Sequence, residues 1–169
     1  MAGVRGTISV GLNLVQTGVA GLGTPKLPVA IEEAMTLASG TAAADQANVF
    51  YQGLARPLAA SATENLDLIG VLTDAFGAVI NAAEVVAIYV KAASTNVNSV
   101  VVGNVTNGFV GPLGATGSYT IKPGEYYLAI SQSGWGVTAA TADLLKITNG
   151  GGGSAVAYDI VIVGRTVAA

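Results

Sequence analysis

The sequence contains neither cysteine nor histidine. Without cysteine there is no disulfide scaffold, no zinc–thiolate site and no thiol nucleophile. Without histidine there is no Ser-His-Asp triad, no imidazole metal ligand and no unperturbed side chain that titrates near neutrality. Charge is scarce too. Lys and Arg number 7 and Asp and Glu 10, or 10 % of 169 residues, against about 25 % in an ordinary soluble domain. The cations Arg5, Lys26, Arg56, Lys91, Lys122, Lys146 and Arg165 are dispersed, and the formal net charge is −3. A groove that neutralises several phosphates needs cations close together, so direct nucleic-acid binding is not expected.

Long apolar runs are also missing. Residues 6–25 carry no charge, but Thr7, Ser9, Asn13, Gln16, Thr17 and several glycines interrupt them. Residues 92–121 are uncharged and full of Ser, Asn, Thr and Gly. Neither reads as a membrane span of about 20 apolar residues, nor as the unbroken core of a secretory signal. Gly21-Leu22-Gly23 is followed by Thr24-Pro25-Lys26, with no third glycine and no helix, so it does not make a phosphate loop. The carboxylates available for paired acid and base work are Glu32 with Glu33, Glu64 with Asp67, and Asp74. Solvation at strand edges and turns is the favoured account of them, and charge there blocks edge-to-edge pairing. No acidic loop has calcium-ligand spacing. The expectation is therefore a protein that is not an enzyme, with no cofactor and no metal.

Apolar residues make up 51 % of the chain, and they alternate. In residues 7–14, Ile8, Val10, Leu12 and Leu14 fall on one face at period two, which predicts a strand that buries that face. Residues 18–28 (GVAGLGTPKLP) form a Gly/Pro-rich connection with no regular element. Residues 29–38 are ambiguous: Ala, Glu, Met and Leu favour helix, while the β-like flanks favour a strand, which would put Glu32 and Glu33 on opposite faces. Residues 39–47 read as a loop. The β-prone run Val49-Phe50-Tyr51 is expected to break at Arg56-Pro57. Residues 64–71 suit a strand, and Thr73-Asp74-Ala75-Phe76-Gly77 a turn. Asn81-Ala82-Ala83-Glu84 is open to a helical turn before the buried strand Val85-Val86-Ala87-Ile88-Tyr89-Val90. Residues 99–105 form another strand, closed by the turn signal Asn107-Gly108.

Residues 118–130 predict a hairpin around the type II turn Lys122-Pro123-Gly124-Glu125. The run Asn149-Gly150-Gly151-Gly152-Gly153-Ser154, between residues 144–148 and 155–163, suits a flexible hairpin tip. Eight or nine short strands with turn chemistry between them predict an all-β fold: one domain over residues 1–169, an antiparallel β-sandwich of jelly-roll type.

Two features point outward. Trp135 stands between Gly134 and Gly136, either as a platform for a sugar or a partner protein or as a residue folded back to cap the core. The outward strand positions are mostly Ser, Thr, Asn, Ala and Gly. Neutral faces of this kind pack against other subunits with little desolvation cost, so the chain is expected to live in an assembly.

Leu22-Gly23-Thr24-Pro25, Leu58-Ala59-Ala60-Ser61, Asn65-Leu66-Asp67-Leu68, Leu72-Thr73-Asp74-Ala75-Phe76-Gly77, Val100-Val101-Val102-Gly103, Lys122-Pro123-Gly124 and Tyr158-Asp159-Ile160-Val161-Ile162-Val163-Gly164 together resemble small virion proteins of tailed bacteriophages. The resemblance covers most of the chain and brings no catalytic residues. It implies a β-sandwich accessory protein that decorates or cements the capsid, often as a homo-oligomeric trimer. Its partners would be the major capsid protein or other virion proteins, and its location the virion, assembled in the host cytoplasm. A neck, tail or fibre component and a carbohydrate-binding module are the alternatives. Residues 1–28, a strand plus the Gly/Pro-rich segment, are the expected clamp on neighbouring subunits. Leu22, Gly23, Thr24, Pro25 and Trp135 are the candidate partner contacts.

Overall fold

The structure is a computed structural model, and it describes residues 3–19, 21, 23–103 and 105–166. Thirteen strands and no helix occur among these residues: β1 (Gly6–Thr17), β2 (Lys26–Ser39), β3 (Gln46–Ala47), β4 (Val49–Leu58), β5 (Thr63–Asp67), β6 (Ile69–Thr73), β7 (Val79–Asn81), β8 (Glu84–Ala92), β9 (Val100–Gly103), β10 (Ser118–Ile121), β11 (Tyr126–Gly136), β12 (Leu144–Asn149) and β13 (Val156–Arg165). That exceeds the eight or nine expected. The excess is mostly local: the two-residue β3, and the small hairpin β6–β7, whose first strand takes over the end of the predicted 64–71 strand where Asp67 Oδ1 accepts a hydrogen bond from Ile69 N (2.8 Å).

Eight strands build two four-stranded antiparallel sheets, ordered β10-β9-β12-β5 and β11-β8-β13-β4. Their inward positions meet in one core. Leu66, Val100, Val102, Ile121, Leu145 and Ile147 come from the first sheet. Val49, Tyr51, Ile88, Val90, Val156, Tyr158, Ile160 and Ile162 come from the second. Each inward side chain removed from water contributes about 1.5–3 kcal/mol, so this shared layer is the main source of stability. A register shift in the β8–β13 pairing lets β8 bury both faces. Val85 and Ile88 enter the main core, while Val86 and Ala87 enter a second cluster on the outer face with Met35, Leu37, Ala47 and Val163.

Several expectations are corrected. The type II turn at 122–125 is present, with Glu125 N donating to Lys122 O (2.9 Å) and Gly124 at φ 83°. It does not close a hairpin, because β10 pairs with β9 and β11 pairs with β8. The chain turns a corner there from one sheet to the other. The glycine run after β12 is likewise a corner, since β12 and β13 lie in different sheets. It is pinned by buried Asn149, which donates to Ala59 O (3.0 Å) and Ser154 O (2.8 Å) and accepts from Gly151 N (3.2 Å). Turn chemistry specifies a reversal and leaves open which strand is met afterwards.

Strand β4 runs through Arg56-Pro57 instead of breaking. It is an edge strand, where a missing N–H is tolerated. A bulge at Ala55 (φ 50°), whose N–H is held by Asp159 Oδ1 at 2.8 Å, absorbs the irregularity. Residues 81–84 contain no helical turn; they close β7 and open β8. The turn after β6 is as expected, with Asp74 Oδ1 accepting from Phe76 N (2.8 Å) and Ala78 N (2.9 Å).

The largest correction concerns the first 39 residues. Lys26, Leu27 and Pro28 belong to β2, so the Gly/Pro-rich segment ends at Pro25, before that strand. The pairing of β1 with β2 is unbroken from Gly6↔Leu37 to Thr17↔Lys26. At about 3.4 Å per residue this arm is roughly 40 Å long. Only its base is covered: Met35 and Leu37 are buried, and Ile8 packs beside them.

Candidate functional site

Cross-strand partners share a face, so the arm's register sorts its side chains. One face carries Ile8, Val10, Leu12, Leu14 and Gln16 from β1 opposite Met35, Glu33, Ile31, Val29 and Leu27 from β2. The other carries Thr7, Ser9, Gly11, Asn13, Val15 and Thr17 opposite Thr36, Ala34, Glu32, Ala30, Pro28 and Lys26. The first face is the one alternation predicts to be buried. Past the base it lies open: Val10, Leu12, Leu14, Leu27, Val29 and Ile31 are between 41 % and 60 % exposed. Covering the remainder is worth about 1 kcal/mol for each side chain. A monomeric protein rarely leaves so continuous an apolar stripe in water.

Beside the arm lies a cleft of ≈ 990 Å³. One wall is β1 itself from Gly6 to Leu12, preceded by Val4 and Arg5. The other is the outer face of the second sheet. Its rows run Ile130–Ala87–Val163–Phe50 and Leu128–Tyr89–Val161–Gln52 across β11, β8, β13 and β4. Four tyrosines line the cleft: Tyr89 and Tyr126 on this wall, with ring centroids 5.9 Å apart, and Tyr119 of β10, its ring centroid 5.0 Å from that of Tyr127, which packs against the main core. Burial, reinforced by neighbouring Tyr119, pushes the Tyr127 phenol above its ordinary range. Phenols of this kind stay neutral hydrogen-bonding groups on an apolar wall, a composition favoured where proteins meet.

The base of the arm is anchored by Arg165, a fully buried cation that composition counted only as one of seven dispersed charges. Its Nε donates to Glu84 Oε2 (2.7 Å), and its Nη2 lies 2.6 Å from the same oxygen. The remaining donors reach Ser133 O (2.7 Å), Gln132 O (3.3 Å), Gln46 O (3.3 Å) and Ala42 O (3.4 Å). Thus the end of β13, the start of β8, the irregular part of β11 and the segment returning from the arm are tied to one guanidinium. Glycine is required at 164, where a Cβ would lie 2.4 Å from Glu84 O.

The other polar cluster joins the two sheets. Glu64 on β5 pairs with Arg56 on β4 and accepts from the Tyr158 hydroxyl on β13, both at 2.5 Å. Arg56 also donates to Tyr51 Oη (2.9 Å). The hydrogen bond to Glu64 holds the Arg56 guanidinium above its usual value, and burial first and Glu64 second push the Tyr158 phenol up. Every group in this cluster has an internal partner, so it works as a clip.

The candidate carboxylates do not converge. Glu64 is in the clip, Asp67 and Asp74 cap turns, and Glu32 and Glu33 lie on opposite faces of β2. Leu22 lies outside the described residues. Gly23 and Pro25 hold the arm's tip, their carbonyls accepting from Gly21 N (3.1 Å) and Gly18 N (2.9 Å), with Thr24 between them. Trp135 is elsewhere, in β11 opposite Val85, half-buried against the main core. Sequence reasoning missed the cleft because its tyrosines are spread over β8, β10 and β11, which only the fold brings together. It missed Arg165 as an anchor, although a lone charge ending the apolar run Ile160-Val161-Ile162-Val163 was a visible signal.

No protein-family model matches the chain, and neither a curated protein nor a solved structure matches it.

Proposed function

We propose that this chain is a structural protein of a tailed-phage particle, one that decorates or cements the capsid by bridging shell subunits. The observation that carries the reading is the arm: a 12-residue and a 14-residue strand projecting an apolar face that its own chain leaves uncovered. Such a face is stable in water only when a neighbour covers it. The resemblance to phage virion accessory proteins supplies the kind of neighbour, the major capsid protein or another virion protein.

The strand order supports the finer fold reading, a jelly-roll sandwich. The eight strands of the two sheets pass repeatedly between them, and β9–β10 is the one consecutive pair that stays in a single sheet. Jelly rolls of eight strands serve as viral capsid domains and as lectins. In the proposed role, homo-oligomers, trimers as the resemblance implies, seat their bodies on the shell while the arms reach across subunit junctions. Once one contact forms, each further contact is effectively intramolecular, so attachment resists pressure from within. With so few charges to screen, attachment depends weakly on salt.

The test is the copy number in purified particles. A decoration protein approaches the stoichiometry of the major shell protein. Absence from the particle overturns the reading, and a few copies each would assign the chain to a neck, tail or fibre. The tyrosine wall favours a carbohydrate-binding alternative, which a flat response of Trp135 and tyrosine fluorescence across a glycan panel would dismiss.

A further inference from the structure

We propose that the chain associates with itself by exchanging arms, the apolar face of one copy's arm docking in the tyrosine-walled cleft of a second copy. Four observations converge on a second copy as the occupant. First, arm and cleft are both apolar and both uncovered, and every copy presents one of each. A reciprocal exchange covers two arms and two clefts, on the order of the 800 Å² per partner that a specific interface needs. Second, the charges match. Arg5 is the one charged residue lining the cleft, and Glu33 is the one charged residue on the arm's apolar face. Neither is in an ion pair with another described residue.

Third, the two arm strands are protected unequally. An exposed edge strand invites pairing with other chains unless charge or proline blunts it. Strand β2 carries Lys26, Pro28, Glu32 and Glu33, whereas β1, which borders the cleft, carries neither charge nor proline. The edge left open is the one facing the docking site, and an extended segment entering there can pair with it as an added strand. Fourth, Arg165 and the buried Met35 and Leu37 hold the arm's base. A held base keeps the distal half projecting and presents it to a neighbour.

The inference does not rest on the virion reading, and its test is made on the purified full chain. Sedimentation at micromolar concentration is expected to give a mass of at least two chains of 16.7 kDa each. Leu12→Glu combined with Ile31→Glu is expected to give a monomer with unchanged circular dichroism. A monomeric parent chain overturns the proposal together with the homo-oligomer part of the virion reading, whose particle role the copy number still decides; a double variant that folds and keeps its oligomeric mass overturns the arm exchange alone. Because the chain has no cysteine, single-cysteine variants provide a second readout. Val29→Cys mixed with Leu128→Cys is expected to form a disulfide-linked heterodimer under mild oxidation. An oligomer in which that cross-link never forms associates through another surface and overturns the arm exchange.

Discussion

Strands β13 and β1 carry the same kind of pattern, with an aliphatic or aromatic residue at every second position, and finish in opposite environments. In β13, Val156, Tyr158, Ile160 and Ile162 are at most 2 % exposed, whereas in β1 Val10, Leu12 and Leu14 are at least 42 % exposed. The difference lies in what faces each strand. The inward side of β13 meets the first sheet across a shared core, while β1 is clamped at one end and extends past the body that would cover it. Alternation specifies an amphipathic strand; whether its apolar side is satisfied within the chain depends on the partners the fold brings. The body satisfies its own pattern, and the chain leaves the arm's distal half uncovered.

Substitutions can break or sharpen this contrast. The largest effect is expected at the joint between the two regions. Arg165→Leu strands Glu84 and several carbonyls, so urea denaturation should show a loss of about 3–5 kcal/mol; a loss below about 1 kcal/mol would mean Arg165 is not the anchor. In the body, Ile160→Ala should cost about 2–5 kcal/mol. At the 122–125 corner, Gly124→Ala should cost about 1–2 kcal/mol, because the position adopts φ 83° while Ser94 leaves ordinary space for a methyl group. The smallest effect is expected on the arm, where Leu14→Ala should change stability by less than about 0.5 kcal/mol, measured on dilute protein. Equal losses at Ile160 and Leu14 would erase the distinction between body and arm.

Alkaline titration probes the body alone. Tyr51, Tyr127 and Tyr158 all have phenols raised above 10.0. Between the unfolded and folded values the unfolded state has lost protons that the folded state retains, so stability falls as pH rises. The contribution is whole below about pH 10 and declines above it. The stability curve should bend downward there, and Tyr158→Phe should flatten the bend. An unchanged bend would place the raised phenols elsewhere.

Much of the fold was legible locally. Asp74 and Gly77 announced the turn they make, Lys122-Pro123-Gly124-Glu125 announced its type, and the run from Val85 to Val90 announced a buried strand. Each is a short-range signal, set by φ preferences, side-chain hydrogen bonds or β-branching. Besides the boundary at 26–28 and the absent helical turn at 81–84, the misreadings were of partnership. The 122–125 turn suggested a hairpin and is a corner, and Pro57 suggested a break and sits on an edge strand. The candidate site was less legible: the period-two pattern of residues 7–14 was visible, but that its apolar face stays exposed beside a cleft was not.

By itself, the sequence determined that the chain would be built of strands, that charge and imidazole chemistry would be scarce, and where the tight turns fall. These follow from residue types and their spacing, which act over a few positions. Only the tertiary structure decided which strands share a sheet, that Glu64, Arg56 and Tyr158 meet, and that the first apolar face stays uncovered. Those outcomes depend on contacts between residues far apart in the chain, as from Arg165 to Ala42 or from Tyr158 to Glu64, and no local periodicity encodes them.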